Sequence, residues 1–346
     1  VYVHLPGNPL TYGKSYYVTV DAGVIQAAGG MAPVFTGTNA WQFSTRAAPP
    51  VDKSDMRVAL DGSGDFCTLQ AALDAVPARS TTPTTLRMGV GVYYELVHTS
   101  AKSNLTIRGD DRKRTVIAGV NNNNLNGGTA TRALISIDTS TKLTIENLTI
   151  HNLTPQGGSQ AEALRLQGCD QCTIRDADIL SLQDTLLWAG RIYARNLYVE
   201  GNVDYVWGTG SVFFDQCEFK TVGRAGYLVQ ARNAPNASGY VFVDSKLTSD
   251  SNVTGDTLAR IDVGEYPGSQ VAFINCQMGK HIAPAGWVVT GGAPGAALRF
   301  QEYKSVDAAG KPIDVSRRLG GSKQLSDAEA TRLRDPAQVL GGWNPR

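Results

Sequence analysis

Two aspartates, Asp184 and Asp204, are the strongest candidates for chemistry in this chain. Each follows an apolar position of a repeated strand pattern by five residues, Ile179 in the first case and Val199 in the second. If the repeats stack as coils of a solenoid, the two carboxylates lie roughly 5 Å apart, because neighbouring parallel strands are about 4.8 Å apart. Carboxylates that close rarely ionise together, so one keeps a proton while the other stays charged. The pair therefore offers an acid beside a nucleophile or base.

Polar side chains near the pair could assist such a reaction. Gln183 directly precedes Asp184, and Gln160 lies one coil earlier. Amides beside two carboxylates can donate hydrogen bonds to a developing oxyanion. Arg260 lies two coils after Asp204 and could hold that aspartate ionised or bind a substrate carboxylate. The simpler interpretation, in which one aspartate only caps a turn, is less favoured by the spacing.

A repeat positions these residues, and its six segments are LTIENLTI, CTIRDADI, IYARNLYV, VFFDQCEF, YVFVDSKL and VAFINCQM. The first apolar anchors are Ile145, Ile174, Ala194, Phe214, Phe242 and Phe273. The second anchors, five residues later, are Ile150, Ile179, Val199, Phe219, Leu247 and Met278. Between them, polar residues suited to a left-handed turn are Asn147, Asp176, Asn196, Gln216, Asp244 and Asn275. Such repeats predict an all-β chain folded as a parallel β-helix.

Helices are expected at both ends of the solenoid. Thr68 can cap a short amphipathic helix that closes at Pro77 and shields the first coil from water. Ser326 and Glu329 form a capping box, which predicts a C-terminal helix to about Arg334, packed against the side of the solenoid.

Three regions are predicted along the chain. Residues 1–46 alternate like strands and resemble the closing strands of a bacterial immunoglobulin-like module, a partial β-sandwich-like segment. Residues 47–55 form a linker, since the pair Pro49–Pro50 cannot continue a strand. Residues 56–346 form the β-helix domain.

Composition excludes several classes of protein. A formal net charge of +1 argues against a broad nucleic-acid surface. No apolar run reaches about 18 residues, so no transmembrane helix is expected. No signal peptide opens the chain, and we expect that a leader has been removed. None of the four histidines accompanies a G-x-S-x-G serine, which argues against a serine hydrolase.

The five cysteines are expected to be mostly core residues. Cys169 and Cys172 form a C-x-x-C pair, which could bind metal or act in redox chemistry. No second pair and no suitably placed histidine accompany it, so no metal site is expected. Cys217 and Cys276 fall at inward positions of the repeat, where cysteine behaves as a small apolar residue.

The segments QDTL (183–186) and DYVWG (204–208) resemble the two signature motifs of pectin methylesterases. These are carbohydrate esterases on a right-handed parallel β-helix, the pectin-lyase-like solenoid. Further segments match the family in the same order across residues 57–345; they are DGSGDF (61–66), GVYYE (91–95), QAEALR (160–165), LAR (258–260), HIAPAGW (281–287) and GWNP (342–345).

The resemblance implies a role for each candidate residue. Asp204 would attack the methyl ester carbonyl of a galacturonate unit. Asp184 would protonate departing methanol and then activate water. Gln183 and Gln160 would line the oxyanion hole, and Arg260 would orient Asp204 and contact substrate. No cofactor is implied. The expected partner is methyl-esterified polygalacturonan (pectin) or its oligomers, the enzyme is expected to be a monomer, and it would act as a secreted or periplasmic protein.

Three departures put substrate preference in question and fit a divergent bacterial branch of the family. Ile261 and Asp262 stand where Pro-Trp usually follows the arginine. Trp207 is bulkier than its usual counterpart. Glu162 places a charge where the Q-A-V-A-L motif has valine.

Aromatic residues near the aspartates could stack on sugar faces. Trp188 and Trp207 are the better candidates, and either could supply the missing subsite wall; Tyr205 is the third. The alternative is that these rings are core, as large rings often are.

Other functions stay open on the residues alone. Carboxyls about 5 Å apart also suit a retaining glycosidase, so a polysaccharide hydrolase or lyase is one alternative. A related β-helix esterase or thioesterase of different specificity is another, and a non-catalytic carbohydrate-binding solenoid is a third.

Overall fold

The computed structural model describes residues 10–27, 30–31, 34–50, 54–295 and 297–345. The chain divides into two compact units, Val1–Lys53 and Ser54–Arg346. The predicted immunoglobulin-like segment and linker fall partly outside the described residues, at 1–9, 28–29, 32–33 and 51–53. The immunoglobulin-like character of residues 1–46 therefore stays a prediction.

Among its described residues, the first unit has two short antiparallel strand pairs. Its strands are β1 (Ser15–Tyr17), β2 (Gln26–Ala27), β3 (Gly30–Met31) and β4 (Gln42–Ser44). β1 pairs with β4 and β2 pairs with β3. Tyr16 stacks on Phe43 across the first pair, with ring centroids 5.5 Å apart.

The second unit is a parallel solenoid. Its first elements are β5 (Asp55–Val58), α1 (Leu69–Ala75), β6 (Thr84–Met88), β7 (Gly91–Tyr94), β8 (Val97–Ser100), β9 (Ser103–Gly109), β10 (Thr115–Gly119), β11 (Ile135–Asp138), β12 (Thr141–Glu146) and β13 (Thr149–Asn152). The central strands are β14 (Leu164–Arg175), β15 (Asp178–Leu180), β16 (Leu186–Arg195), β17 (Tyr198–Gly201), β18 (Val203–Gly208), β19 (Ser211–Asp215), β20 (Glu218–Thr221), β21 (Tyr227–Ala231), β22 (Tyr240–Val243) and β23 (Lys246–Ser249). The last elements are β24 (Thr257–Asp262), β25 (Gln270–Ile274), β26 (Gln277–Met278), β27 (Trp287–Thr290), β28 (Arg299–Tyr303), β29 (Lys323–Gln324), α2 (Asp327–Leu333) and α3 (Pro336–Val339).

The repeat predicted from sequence is the register of the coils. The first anchors pair in order from Ile145 through Ile174, Ala194, Phe214 and Phe242 to Phe273. The second anchors pair in the same way from Ile150 to Met278. Inside the solenoid, Phe242 stacks between Phe214 and Phe273 at centroid distances of 4.6 and 4.5 Å. The predicted parallel β-helix is therefore confirmed.

The polar residue of each repeat makes the predicted left-handed turn. The φ angles are 57° at Asn147, 51° at Asp176, 51° at Asn196, 54° at Gln216, 48° at Asp244 and 53° at Asn275. Asparagine and aspartate tolerate this conformation better than most residues. Their side chains also link neighbouring coils, since Asn196 Nδ2 donates to Asp176 Oδ1 at 2.7 Å.

Both ends carry the expected helices. Thr68 caps α1, accepting a hydrogen bond from the backbone N–H of Ala71. The capping box of Ser326 and Glu329 opens α2. Only one C-terminal helix was predicted, but Pro336 begins a second one, α3, because proline suits the first turn, where its missing N–H is not needed.

The C-terminal helices pack against the outside of the solenoid. Ala330 and Val339 join a buried cluster with Tyr193 and Phe213 of the coils. All five cysteines are free thiols; Cys67 is exposed, and the four in the coils are buried. In the described part of the chain, no helix has the length and apolar character needed to cross a membrane.

Candidate active site

Asp184 and Asp204 lie on adjacent coils at the same phase. The backbone N–H of Asp184 donates to the carbonyl of Val203 at 3.0 Å. Gln183 forms a parallel β-bridge with Val203, which sets the two aspartates side by side in the stack. Their side chains are only 10% and 5% exposed. The backbone thus brings two carboxyl groups together in a largely water-free place.

Both aspartates have a left-handed backbone, with φ of 65° at Asp184 and 48° at Asp204. This conformation costs a residue other than glycine on the order of 1 kcal/mol, and it persists only where the surrounding structure enforces it. Residues held in this way cluster at functional sites. The coil packing therefore fixes the direction of both carboxyl groups.

Arg260 holds Asp204 by a two-point contact. Its Nε donates to Oδ1 at 2.8 Å, and its Nη2 donates to Oδ2. A paired guanidinium of this kind fixes the plane of a carboxylate and favours its charged form. The guanidinium also lies over the ring of Tyr227, 4.8 Å from its centroid. Asp204 is thereby held in one orientation.

Asp184 has the opposite electrostatic setting. Burial raises the pKa of Asp184 well above its usual range, and the nearby charges of Glu162 and Asp204 raise it further. Arg132 and Arg232 act in the other direction. The net effect favours the protonated form of Asp184, whose surroundings therefore differ from those of Asp204.

Arg132 contacts Asp184 directly, and sequence reasoning did not identify it. Its Nη2 donates to Asp184 Oδ2 at 2.9 Å and to Glu162 Oε1 at 2.6 Å. Arg132 and Glu162 side chains are 8% and 0% exposed. The available signal was Glu162 itself, because a buried carboxylate among apolar residues requires a cationic partner.

The two glutamines lie on neighbouring coils beside the aspartates. The backbone N–H of Ala161, next to Gln160, donates to the carbonyl of Gln183 at 3.0 Å. Ser159 Oγ donates to Gln160 Oε1 at 2.6 Å, which leaves the amide N–H groups of Gln160 to act as donors. Both side chains are half-buried at the edge of the site.

Trp188 and Tyr205 do not line the site, so the expectation that they contact a sugar is wrong. Both are fully buried. Trp188 stacks on Phe214 inside the solenoid, with centroids 5.5 Å apart. Tyr205 follows Asp204 directly, so strand alternation points the ring inward, and its hydroxyl lies 3.1 Å from Thr221 Oγ1.

Trp207 lies beneath the site between two arginines. The guanidinium carbons of Arg232 and Arg132 are 4.8 and 5.7 Å from its ring centroid. Such cation–π contacts are attractive and position the cations. Because Trp207 is only 7% exposed, it offers a sugar no more than one edge.

The loop that follows Ile261 and Asp262, the pair in place of the expected Pro-Trp, carries a different aromatic residue. Ile261 is buried, and Asp262 opens a turn by accepting a hydrogen bond from the N–H of Gly264 at 2.9 Å. Tyr266 follows on this loop, half-buried, with the guanidinium of Arg232 5.9 Å from its ring. Tyr266 is an aromatic residue near the site that the sequence did not single out.

A polar cavity of about 350 Å³ adjoins Gln183. Its lining includes Gln156, Asn202 and Arg224. Among the residues that the structure describes, the guanidinium of Arg224 has no hydrogen-bond or ion-pair partner, and the residue is exposed. The cavity therefore offers a free cation beside Gln183, the residue that directly precedes Asp184.

Comparisons with known proteins agree with this geometry. A family model described as Pectinesterase matches residues 55–338. Pectinesterase 31 of Arabidopsis thaliana is 30% identical over 290 residues, covering 80% of this chain and 89% of the relative. Pectinesterase 2 of Olea europaea is 29% identical over 286 residues, covering 80% and 75%.

Solved structures of pectin methylesterases also match this chain. The pectin methylesterase from carrot superposes with a TM-score of 0.76 at 26% identity, covering 85% of this chain and 95% of that one. The Aspergillus niger pectin methylesterase gives 0.72 at 26% identity, with coverage of 85% and 96%. A pectin methylesterase in complex with a hexasaccharide gives 0.69 at 25% identity, with coverage of 84% and 98%.

Proposed function

The chain belongs to the pectinesterase family, and we propose that Asp204 and Asp184 carry out its reaction. As a member of this family it is a carboxylic ester hydrolase on a right-handed parallel β-helix, and it hydrolyses the methyl esters of pectin. The observation that carries the assignment of roles is the asymmetry of the pair. Arg260 contacts both oxygens of Asp204, whereas burial raises the pKa of Asp184.

In the first half of the reaction, the Asp204 carboxylate attacks the carbonyl carbon of a galacturonate methyl ester. The carbonyl oxygen becomes an oxyanion and accepts hydrogen bonds from the amides of Gln160 and Gln183. As the bond to the methoxy group breaks, Asp184 gives its proton to the leaving oxygen, and methanol departs. The galacturonate acyl group is then joined to Asp204 as an anhydride.

In the second half, Asp184 is ionised and takes a proton from water. The water oxygen attacks the acyl carbon, and the bond to Asp204 breaks, which returns Asp204 as a carboxylate and Asp184 as an acid. One ester and one water give one galacturonic acid unit and one methanol. No cofactor enters this scheme.

The cavity beside Gln183 supports binding of a polygalacturonan chain or its oligomers. The exposed guanidinium of Arg224 suits an unesterified carboxylate on a neighbouring sugar. Pectin is a cell-wall polymer, which supports a secreted or periplasmic enzyme. The net charge of +1 offers no support for nucleic acid as a partner.

Methanol release from methylated pectin, with Asp204→Asn as the matched variant, tests this function. Wild type should release methanol without shortening the polymer, and the variant should fold normally and release none. New reducing or unsaturated ends without methanol would instead indicate a hydrolase or lyase. Pectin binding without either product would indicate a non-catalytic solenoid.

A further inference from the structure

We propose that Arg132 and Glu162 form a positioning pair that orients Asp184 and balances the charge beside it. This inference rests on the proposed function, because it takes Asp184 as the acid of the reaction. Neither residue is assigned a role by the family resemblance, and Glu162 stands where the family motif has valine. The pair is thus a feature of this chain that the reaction scheme does not yet use.

The contact from Arg132 influences which oxygen of Asp184 carries the proton. A guanidinium has only donors. Arg132 Nη2 donates to Oδ2 of Asp184, which is therefore the acceptor. Because the carbonyl oxygen of a neutral carboxyl group accepts better than its hydroxyl oxygen, this contact favours the proton on Oδ1. Arg132 therefore leaves one defined oxygen to protonate the departing methoxy group.

Arg132 is itself held on several sides. Its Nε lies 3.0 and 2.9 Å from the two carboxylate oxygens of Glu162. Asn123 Oδ1 accepts from its Nη1 at 3.3 Å. The side-chain amide of Asn121 donates to the carbonyls of Thr131 and Ala133, the two neighbours of Arg132, at 2.9 and 2.8 Å. The asparagine-rich loop before β11 thus fixes both the backbone and the side chain of this arginine.

Glu162 also balances the positive charge that Arg132 places beside Asp184. A guanidinium alone beside Asp184 would favour the carboxylate and release its proton too readily. Glu162 offsets that charge at hydrogen-bond distance from the same guanidinium. Burial raises the pKa of Glu162, and the hydrogen bonds and positive charge of Arg132 oppose that effect. The pair thereby orients Asp184 without adding a net charge.

The other charged groups that act on Asp184 are Asp204, Arg232 and Arg260. Asp204 and Arg260 pair with each other. Arg232 donates to Gln230 Oε1 at 3.0 Å. With Glu162 neutralised, Asp184 would therefore face Arg132 and Arg232 without a balancing carboxylate.

The test is the pH dependence of methanol release in Glu162→Gln and Arg132→Gln. In Glu162→Gln, the alkaline limb of the kcat profile should move to lower pH by about one unit, the effect of an uncompensated nearby cation. In Arg132→Gln, it should move to higher pH, because a carboxylate is left unbalanced. KM should stay the same in both, since neither residue touches substrate. The proposal would be overturned if the alkaline limb of the kcat profile stayed at its wild-type pH in both variants, or moved in the same direction in both.

A double variant, Arg132→Gln/Glu162→Gln, covers the case in which a single variant does not fold, because it buries no unpaired charge. Its limb should return towards the wild-type position while kcat stays reduced by about tenfold or more through lost orientation. An unchanged kcat would overturn the positioning role. Asp184→Asn, measured in parallel, separates the proposed function from the role of the Arg132–Glu162 pair. If Asp184→Asn stays active, the proposed function is wrong. If it is inactive while the Arg132 and Glu162 variants behave as wild type, only the role of the pair is wrong.

Discussion

The guanidinium of Arg260, on β24, donates to both carboxylate oxygens of Asp204, on β18. β21 lies between these strands in the sheet, so the contact spans two coils. Its value for catalysis depends on two parallel donors, which a lysine ammonium does not provide.

Arg260→Lys should therefore keep the charge and lose the orientation. We expect kcat/KM for methanol release to fall about a hundredfold, the scale of a misplaced reacting group. Arg195→Lys is a suitable control, because Arg195 is exposed on a coil surface. Equal activity of Arg260→Lys and wild type would contradict the orienting role.

The raised pKa of Asp184 should also appear in stability. The folded state holds a proton on this residue that an unfolded aspartate, with a pKa of about 3.9, releases. The stability of wild type should therefore fall as pH rises through the interval between the unfolded and folded pKa values. Asp184→Asn, which stays neutral, should become more stable relative to wild type across that interval, by at most about 1.4 kcal/mol per pH unit.

Denaturant unfolding of both proteins between pH 3 and pH 9, about the span over which a raised carboxyl titrates, measures this difference. The two curves should converge at the acidic end, where the carboxyl is protonated in both states. A difference that stays constant with pH would contradict a raised pKa.

Trp188 is expected to act through stability alone. It is fully buried and stacked on Phe214, so Trp188→Ala should lower the free energy of unfolding by about 3–5 kcal/mol. KM for pectin, measured at a temperature where the variant is folded, should not change. Trp207→Leu is the contrasting variant, since it removes the ring that Arg132 and Arg232 contact, and it should lower kcat. A raised KM in Trp188→Ala would restore Trp188 as a sugar contact.

Arg224 should influence which pectin is preferred. If its guanidinium binds a free carboxylate next to the reacting sugar, Arg224→Gln should raise KM about tenfold on partly de-esterified pectin, the loss of one charge-assisted contact. Fully methylated pectin lacks that carboxylate and should be little affected. Arg224→Lys serves as the charge-retaining control. An equal loss on both substrates would argue against carboxylate recognition.

The repeat made most of the fold predictable. Each coil must bury an apolar residue at the same phase, so Ile145 and Phe273 could be assigned to one row from spacing alone. The same phase placed Asp184 beside Asp204. The second C-terminal helix, α3, was not predicted, because its four residues, which begin at Pro336, are too few to show a helical period.

The site was less predictable where its side chains come from residues outside the repeated segments. Arg132 comes from a loop outside the repeated segments and reaches Glu162 across 30 residues, so no local pattern links them. Proximity in sequence suggested that Tyr205 was a sugar contact, although alternation along the strand placed it on the face opposite to Asp204. The inference for Trp188 failed for the same reason, because nearness to a reactive group does not determine which face a residue occupies.

The short coil from Asp184 to Asp204 also bears on how such an enzyme diverges. The first anchors Ile174, Ala194 and Phe214 are 20 residues apart, whereas the next two intervals are 28 and 31 residues. An insertion within the paired strands between the aspartates would shift one acid out of phase with the other, so natural variation in those strands is restricted to substitutions. The later loops, including the one that carries Tyr266, can change length without moving either acid. New substrate preferences can therefore evolve by insertion and deletion at the rim, while the distance between the reacting carboxyls is inherited from the spacing of two strands.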